Sequence, residues 1–242
     1  MIEIEHLKKS FDGKPVLSDI NLTIPDGKTM VVVGGSGCGK TVLLRSIIGL
    51  IRPDGGRILI RGEDVCTLDR RSLFEMRKNF GMLFQGAALF DSMTVEQNIS
   101  LPLKEHTDLS ETEIKNKVRE KLRLVDLPGI EGKKPSELSG GMKKRVGLAR
   151  ALILEPRYML FDEPTTGLDP IMADAIDHLI LDTNQRLNIT SVVVTHDMKS
   201  ALTVGDHIAM ISNGKVIFSD TAAEFQKTEN HLVQQFINGR SQ

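Results

Sequence analysis

Two stretches of this chain carry residue types at spacings that suit chemistry on a polyphosphate. Gly34-Gly35-Ser36-Gly37-Cys38-Gly39-Lys40-Thr41 fits the pattern G-x-x-x-x-G-K-[ST]. Its four glycines remove side chains that would keep the backbone from wrapping phosphates. Successive N–H groups can then turn inward, and a helix that follows adds its positive end. Lys40 supplies a point charge for the β- and γ-phosphates, and the Thr41 hydroxyl suits a Mg²⁺ ligand. The second stretch is Tyr158-Met159-Leu160-Phe161-Asp162-Glu163, an apolar run that ends in two carboxylates. Beside a phosphate loop, Asp162 suits the Mg²⁺ shell and Glu163 can polarise a water.

Three further residues stand at the ends of apolar runs. Gln85 follows residues 79–84 and can bring an amide oxygen to a metal or a water; a Gln at a strand end is more often a plain loop residue. His196 follows residues 190–194; a lone His is more often on the surface or in the core than catalytic. Phe11 is one of few aromatics (nine Phe, one Tyr, no Trp). It can stack on an adenine ring or plug the end of a strand, and spacing alone leaves both open.

The elements that must hold these residues are legible as patterns. Residues 2–7 and 19–24 alternate at period two and read as strands. Pro25-Asp26-Gly27 signals a turn into the apolar run of residues 29–33, the strand before the glycine-rich loop. Residues 42–50 read as the helix after it. Arg52-Pro53-Asp54-Gly55-Gly56 turns into a strand over 57–61. From residue 86 to about 156 the character changes. Ser110-Glu111-Thr112-Glu113 is a capping box, followed by Ile114, Val118 and Leu122 on one helical face. Leu138-Ser139-Gly140-Gly141-Met142 opens another helix, to about residue 154, with Lys143, Lys144, Arg145 and Arg150 expected on a solvated face. Asp169-Pro170 reads as N-cap and first helical residue. Asn213-Gly214 predicts a two-residue hairpin between 207–211 and 215–218, and Thr221-Ala222-Ala223-Glu224 a final capped helix.

Composition narrows the function classes. The chain has 242 residues and a net charge of −1, so no global field favours nucleic acid or an anionic membrane. Two cysteines, Cys38 and Cys66, make no disulfide framework, and one in the glycine-rich loop suits a reducing compartment. Arg45 and Arg52 interrupt the longest apolar stretches, so no bilayer span is expected and any membrane role runs through a partner. The N-terminus opens directly in a strand pattern, and no secretory leader is expected.

Taken together, the chain resembles the ATP-binding-cassette (ABC) ATPase family over nearly its whole length. Six separated motifs stand in the family's order. Residues 34–41 match the Walker A loop, Asp162-Glu163 the end of Walker B, and Gln85 the Q-loop. Leu138-Ser139-Gly140-Gly141-Met142 matches the signature except at its last residue. Gly167-Leu168-Asp169 matches the D-loop and His196 the switch histidine. Phe11 falls at the family's adenine-stacking position. The resemblance implies an α/β P-loop NTPase fold with an antiparallel β subdomain and an inserted helical subdomain. One ATPase domain is expected over 2–238, with a nucleotide-binding core at 1–85 and 157–220, helices at 86–156 and a helical tail at 221–242.

The same resemblance implies ATP and Mg²⁺ as cofactors, with Thr41, Gln85 and Asp162 at the metal. Glu163 is then the general base, with His196 holding the γ-phosphate and the attacking water. It also implies a head-to-tail dimer with a second copy. There Ser139, Gly140, Gly141 and Met142 of one chain, with Asp169 in the D-loop, complete the site of the other. Met142 departs from the family's glutamine, and a thioether cannot supply amide hydrogen bonds. That Met, together with Phe84-Gln85-Gly86-Ala87-Ala88-Leu89-Phe90-Asp91, looks like the ATPase of Mla-type (MCE-associated) phospholipid transporters. Ser136-Glu137 and the segment 233–239 fit the same subgroup. The partners implied are an integral-membrane permease, met near Leu89 and Phe90, and an MCE-domain lipid-binding protein, at the cytoplasmic face of the inner membrane. With the sequence ending at Gln242, no longer C-terminal grip on a partner is expected. The alternatives are a small-solute importer ATPase and a soluble cassette acting on nucleic acid or ribosomes. The second usually carries tandem cassettes or a coiled-coil insert, which this sequence lacks.

Overall fold

The computed structural model describes residues 1–238. The expected tail at 221–242 and the segment 233–239 therefore end beyond it: residues 239–242 lie outside the described residues.

The chain begins as an antiparallel pair, β1 (Ile2–Phe11) and β2 (Lys14–Ile24), joined through Asp12 and Gly13 at φ 50° and 75°. β3 (Thr29–Val33) runs into the glycine-rich loop and α1 (Lys40–Ile47). β4 (Gly55–Ile60) returns beside β1, and the short β5 (Glu63–Asp64) pairs with β4. α2 (Arg70–Arg77) leads to β6 (Phe80–Leu83). Then come α3 (Val95–His106), α4 (Glu111–Leu124) and α5 (Gly140–Leu152). The chain re-enters the sheet as β7 (Tyr158–Asp162), crosses over α6 (Pro170–Leu187) to β8 (Thr190–Thr195), and over α7 (Met198–Val204) to β9 (His207–Ser212). β10 (Lys215–Thr221) forms the expected hairpin with β9, with Asn213 and Gly214 at φ 48° and 70°, as a tight two-residue turn requires. α8 (Ala222–Lys227) and α9 (His231–Ile237) follow.

The strands make one sheet in the order β5-β4-β1-β2-β10-β9-β3-β8-β7-β6. From β9 to β6 all pairings are parallel; the other half is antiparallel apart from the β10–β2 contact. This is the expected α/β architecture. Parallel strands covered on both faces read as unbroken apolar runs, and β3 shows why. Its Met30 and Val32 enter a core with α1, β1 and β2, while Val31 and Val33 enter a second core with α3 to α7. Each buried side chain contributes roughly 1.5–3 kcal/mol. Two full layers therefore fix the strand ends from which the chemical residues project.

Several elements differ from the sequence reading. β1 extends to Phe11 and β2 starts at Lys14, because irregularities in pairing at Ile4/Leu7, Leu7/Lys9 and Lys9/Ser10 break the alternation that would have marked them. α2 fully buries none of its residues; only half-buried Leu73 and Met76 pack on the core, a stripe too short to stand out in sequence. α3 contains Pro102, an interior breaker in sequence terms, yet Thr94 and Gln97 form a full capping box at its start.

Candidate functional site

The glycine-rich loop owes its path to close packing. Gly39 precedes α1 at φ 102°, and a Cβ there would lie 2.6 Å from Leu17 Cδ2 and 3.1 Å from the Val16 carbonyl oxygen. Only glycine satisfies both conditions. Lys40 is buried, and its Nζ donates to the Gly34 and Gly35 carbonyls at 2.8 and 3.0 Å. The ammonium is thus bent back inside its own loop, 4.0 Å from Glu163 Oε1. Thr41 Oγ1 donates to Asp162 Oδ1 at 2.8 Å, which brings together two hard oxygen ligands from residues far apart in sequence. The Cys38 thiol is half-buried, and burial raises its pKa. It is an inert side chain in the loop rather than a reactive one.

Glu163 lies just past β7 at φ 50°, a left-handed conformation that costs a non-glycine residue about 1–3 kcal/mol. Its surroundings hold it there. The Glu163 N–H donates to Val194 O at 2.9 Å, Thr166 Oγ1 donates to Glu163 Oε2 at 3.0 Å, and His196 Nδ1 lies 2.8 Å from the same oxygen. His196 projects largely exposed from the end of β8, so it can meet both Glu163 and an incoming group. Behind this loop, buried Ser200 donates to Asp177 Oδ2 at 2.7 Å and pairs with Thr165 at 3.2 Å. Burial pushes Asp177 up to about 6, the Ser200 hydroxyl pulling it back in part.

An open cleft of about 630 Å³ gathers Phe11, Ser36, Gly37, Gly39, Lys40, Thr41, Gln85, Glu163 and His196. Val16 and Val42 line it too, and neither carries a sequence signal beyond being apolar. Phe11 is 44% exposed at the rim, with Lys9 Nζ 5.3 Å from its ring centroid, so it plugs no strand end. Gln85 stands in the exposed loop after β6. Leu89 is tucked against the helical core, whereas Phe90 is 50% exposed.

The solvated face expected for Lys143, Lys144, Arg145 and Arg150 does not form. Lys144 is buried, and its Nζ donates to the Gln85 carbonyl and, at 3.3 Å, to the Glu163 carbonyl. Arg145 donates to Val125 O at 3.0 Å and Arg150 to Ala87 O and Ala88 O at 2.8 Å each. Backbone carbonyls from distant segments take up Lys144, Arg145 and Arg150 of the four, and no sequence period announces that. Thr166, which holds Glu163, was likewise unread.

Ser139, Gly140, Gly141 and Met142 are not among the cleft residues. They form the start of α5, where the Ser139 hydroxyl accepts from Met142 N at 3.3 Å and the Met142 side chain packs on the helical core. Asp169 caps α6, its Oδ1 accepting from Ile171 N and Met172 N at 3.1 and 3.0 Å. Its Oδ2 has no such bond among the described residues, and the residue is exposed.

Residues 17–166 match the family model described as ABC transporter. The chain is 44% identical over 239 residues to the "probable ribonucleotide transport ATP-binding protein mkl" of Mycobacterium tuberculosis, covering 99% of this chain and 67% of that protein. It is 42% identical over 241 residues to the "intermembrane phospholipid transport system ATP-binding protein MlaF" of Haemophilus influenzae, covering 100% of this chain and 91% of that protein. Among solved structures, the ATP-binding cassette MJ0796, titled as a dimeric post-hydrolysis state bound to ADP and Pi, superposes with a TM-score of 0.84. It is 30% identical and covers 92% of this chain and 99% of that chain.

Proposed function

The chain belongs to the ABC transporter family, and we propose from that premise that it is the ATP-hydrolysing subunit of a transporter moving phospholipids between membranes. The carrying observation is the convergence of Lys40, Thr41–Asp162 and Glu163–His196 on one cleft. Two relatives carry different cargo names. The phospholipid reading is favoured by the segment Phe84–Asp91, and the relative named for phospholipids is 42% identical across the whole of this chain. The Leu-Ser-Gly-Gly-Met signature points the same way.

In this reading Phe11 stacks on adenine, and the N–H groups of residues 34–41 receive the phosphates. Lys40 exchanges the Gly34 and Gly35 carbonyls for phosphate oxygens, a charge-assisted contact that replaces neutral acceptors. Thr41 and Asp162, already hydrogen-bonded to each other, fit a small oxygen-seeking cation, with Gln85 on the same rim. Mg²⁺ held there neutralises charge that builds on the phosphates. Glu163 accepts a proton from the attacking water, and His196, oriented through the carboxylate, meets the γ-phosphate. Asp169 stays a cap.

A second copy supplies Ser139-Gly140-Gly141. Ser139 and Gly140 at that α5 start are exposed and lie outside the cleft of their own chain. Among the described residues no helix is long and apolar enough to cross a membrane. Attachment at the cytoplasmic face of the inner membrane therefore runs through a permease, with Phe90 as one exposed apolar contact and an MCE-domain protein completing the system. A nucleic-acid partner has no charge basis here.

The test is Glu163→Gln. A positioned base is worth roughly 10²–10⁴ in rate, about 3–5 kcal/mol of barrier. Glutamine keeps the shape, cannot take the proton, and removes a charge beside the γ-phosphate. The variant should bind ATP·Mg²⁺, stop turnover and accumulate as an ATP-dependent dimer by size exclusion. Wild-type phosphate release would remove Glu163 from the base role.

A further inference from the structure

Lys144 lies in the second turn of α5 and is 5% exposed. A buried ammonium is costly unless its hydrogens find acceptors. Its two acceptors come from separate parts of the chain: the carbonyl of Gln85 after β6 and that of Glu163 after β7. Burial pushes Lys144 down, and the nearby Asp162 and Glu163 carboxylates oppose that. Lys144 thus holds the main chain of the proposed metal-side amide and of the proposed base, while leaving their side chains free.

A second cation on the same helix reinforces the link. Arg150 holds the carbonyls of Ala87 and Ala88, which sit at φ 60° and 49°. With Glu163 at φ 50°, three strained residues beside the cleft are tied to α5 by a cationic side chain. Gly147 lies between the two cations, where a Cβ would be 2.9 Å from Leu83 Cδ1 and 3.2 Å from Ala87 Cβ. The helix is seated directly on the loop it grips.

We propose that Lys144 is a positioning residue for hydrolysis. It joins the backbone at Gln85 and Glu163 to the helix that presents Ser139, so that Glu163 is aligned when α5 is seated. The inference rests on the reading of Glu163 as the base. Small misplacement of a reacting group is expensive, about 10²-fold for 1 Å.

The experiment uses the full chain with ATP and Mg²⁺, and measures kcat, ATP affinity by calorimetry, and Tm. Lys144→Met keeps the aliphatic bulk and removes donors and charge; Lys144→Arg returns both. The expected result is a fall in kcat of about 10- to 100-fold in Lys144→Met, with ATP affinity within about twofold and most of kcat recovered in Lys144→Arg. A kcat within about twofold of wild type in Lys144→Met overturns the proposal, as does a parallel loss of kcat and affinity that Lys144→Arg does not recover. Should Lys144→Met fail to fold, Lys144→Gln replaces it under the same criteria. Glu163→Gln runs alongside. If it turns over normally, the base assignment fails; if it stalls while Lys144→Met is normal, only the role of Lys144 fails.

Discussion

The starts of α1 and α5 are both built from glycine and a hydroxyl residue, and they sit in opposite surroundings. α1 is entered through Gly39 at φ 102°, without a side-chain cap. Around it lie a buried lysine, the Asp162 carboxylate bonded to Thr41, and the Glu163–His196 pair. α5 is capped by Ser139, which is exposed along with Gly140; its oxygen accepts from Met142 N and its O–H is left to donate. A bare helix start favours an anion by only about 0.3–1 kcal/mol. The α1 site adds a lysine, a Thr41–Asp162 oxygen pair and the Glu163 carboxylate within one chain. The α5 site adds nothing of the kind and becomes useful only against a phosphate already held elsewhere. In the proposed dimer that difference would let one polypeptide carry both halves of a site closed by a second copy.

Lys40→Ala against Ser139→Ala breaks or sharpens that comparison most strongly. Losing the Lys40 charge should weaken ATP binding to the isolated chain by roughly 10- to 100-fold, as expected for hydrogen bonds from a charged group. Ser139→Ala should leave that affinity within about twofold, lower turnover, and cost about 1 kcal/mol of stability as a lost N-cap. Calorimetry that finds both variants equally weak would place α5 at the phosphates of its own chain.

Phe11→Ala has a smaller expected effect, since the ring is 44% exposed. Loss of stacking should raise the Michaelis constant for ATP about fivefold, near 1 kcal/mol, at the low end of base–aromatic stacking. Tm should hold, because the ring belongs to neither buried core.

Asp177→Asn serves as a control that touches neither helix start. Asp177 moves from an ordinary 3.8 to about 6 in the folded chain. The folded state therefore holds this proton more tightly than the unfolded state. The stability this confers is complete below pH 4 and lost as pH rises through 6. Relative to wild type, Asp177→Asn should gain stability across that window, by at most about 3 kcal/mol, and plateau above it. Thermal melts at pH 4, 5, 6 and 8 read this directly. A constant difference across pH would show that Asp177 does not titrate there.

The sequence by itself determined the parts whose physics is local. A phosphate loop needs glycines and a lysine within eight residues, a two-residue hairpin needs Asn213-Gly214, and helix starts need Ser110, Asp169 or Thr221 beside the first turn. Buried parallel strands need unbroken apolar runs, so the order of strand, loop and helix that presents Lys40, Asp162, Glu163 and His196 was legible in the chain. Only the tertiary structure decided what depends on partners distant in sequence. Bulged pairing between β1 and β2 hid their true lengths, packing overrode Pro102 inside α3, and the Val194 carbonyl took the Glu163 N–H. Three of the four cations of α5, Lys144, Arg145 and Arg150, looked solvated because a lysine or arginine in sequence carries no record of its acceptor. For Lys144 the acceptors are two backbone carbonyls, 59 and 19 residues away. A carbonyl is present at every position of every sequence, so folding alone selects which ones a buried ammonium will meet.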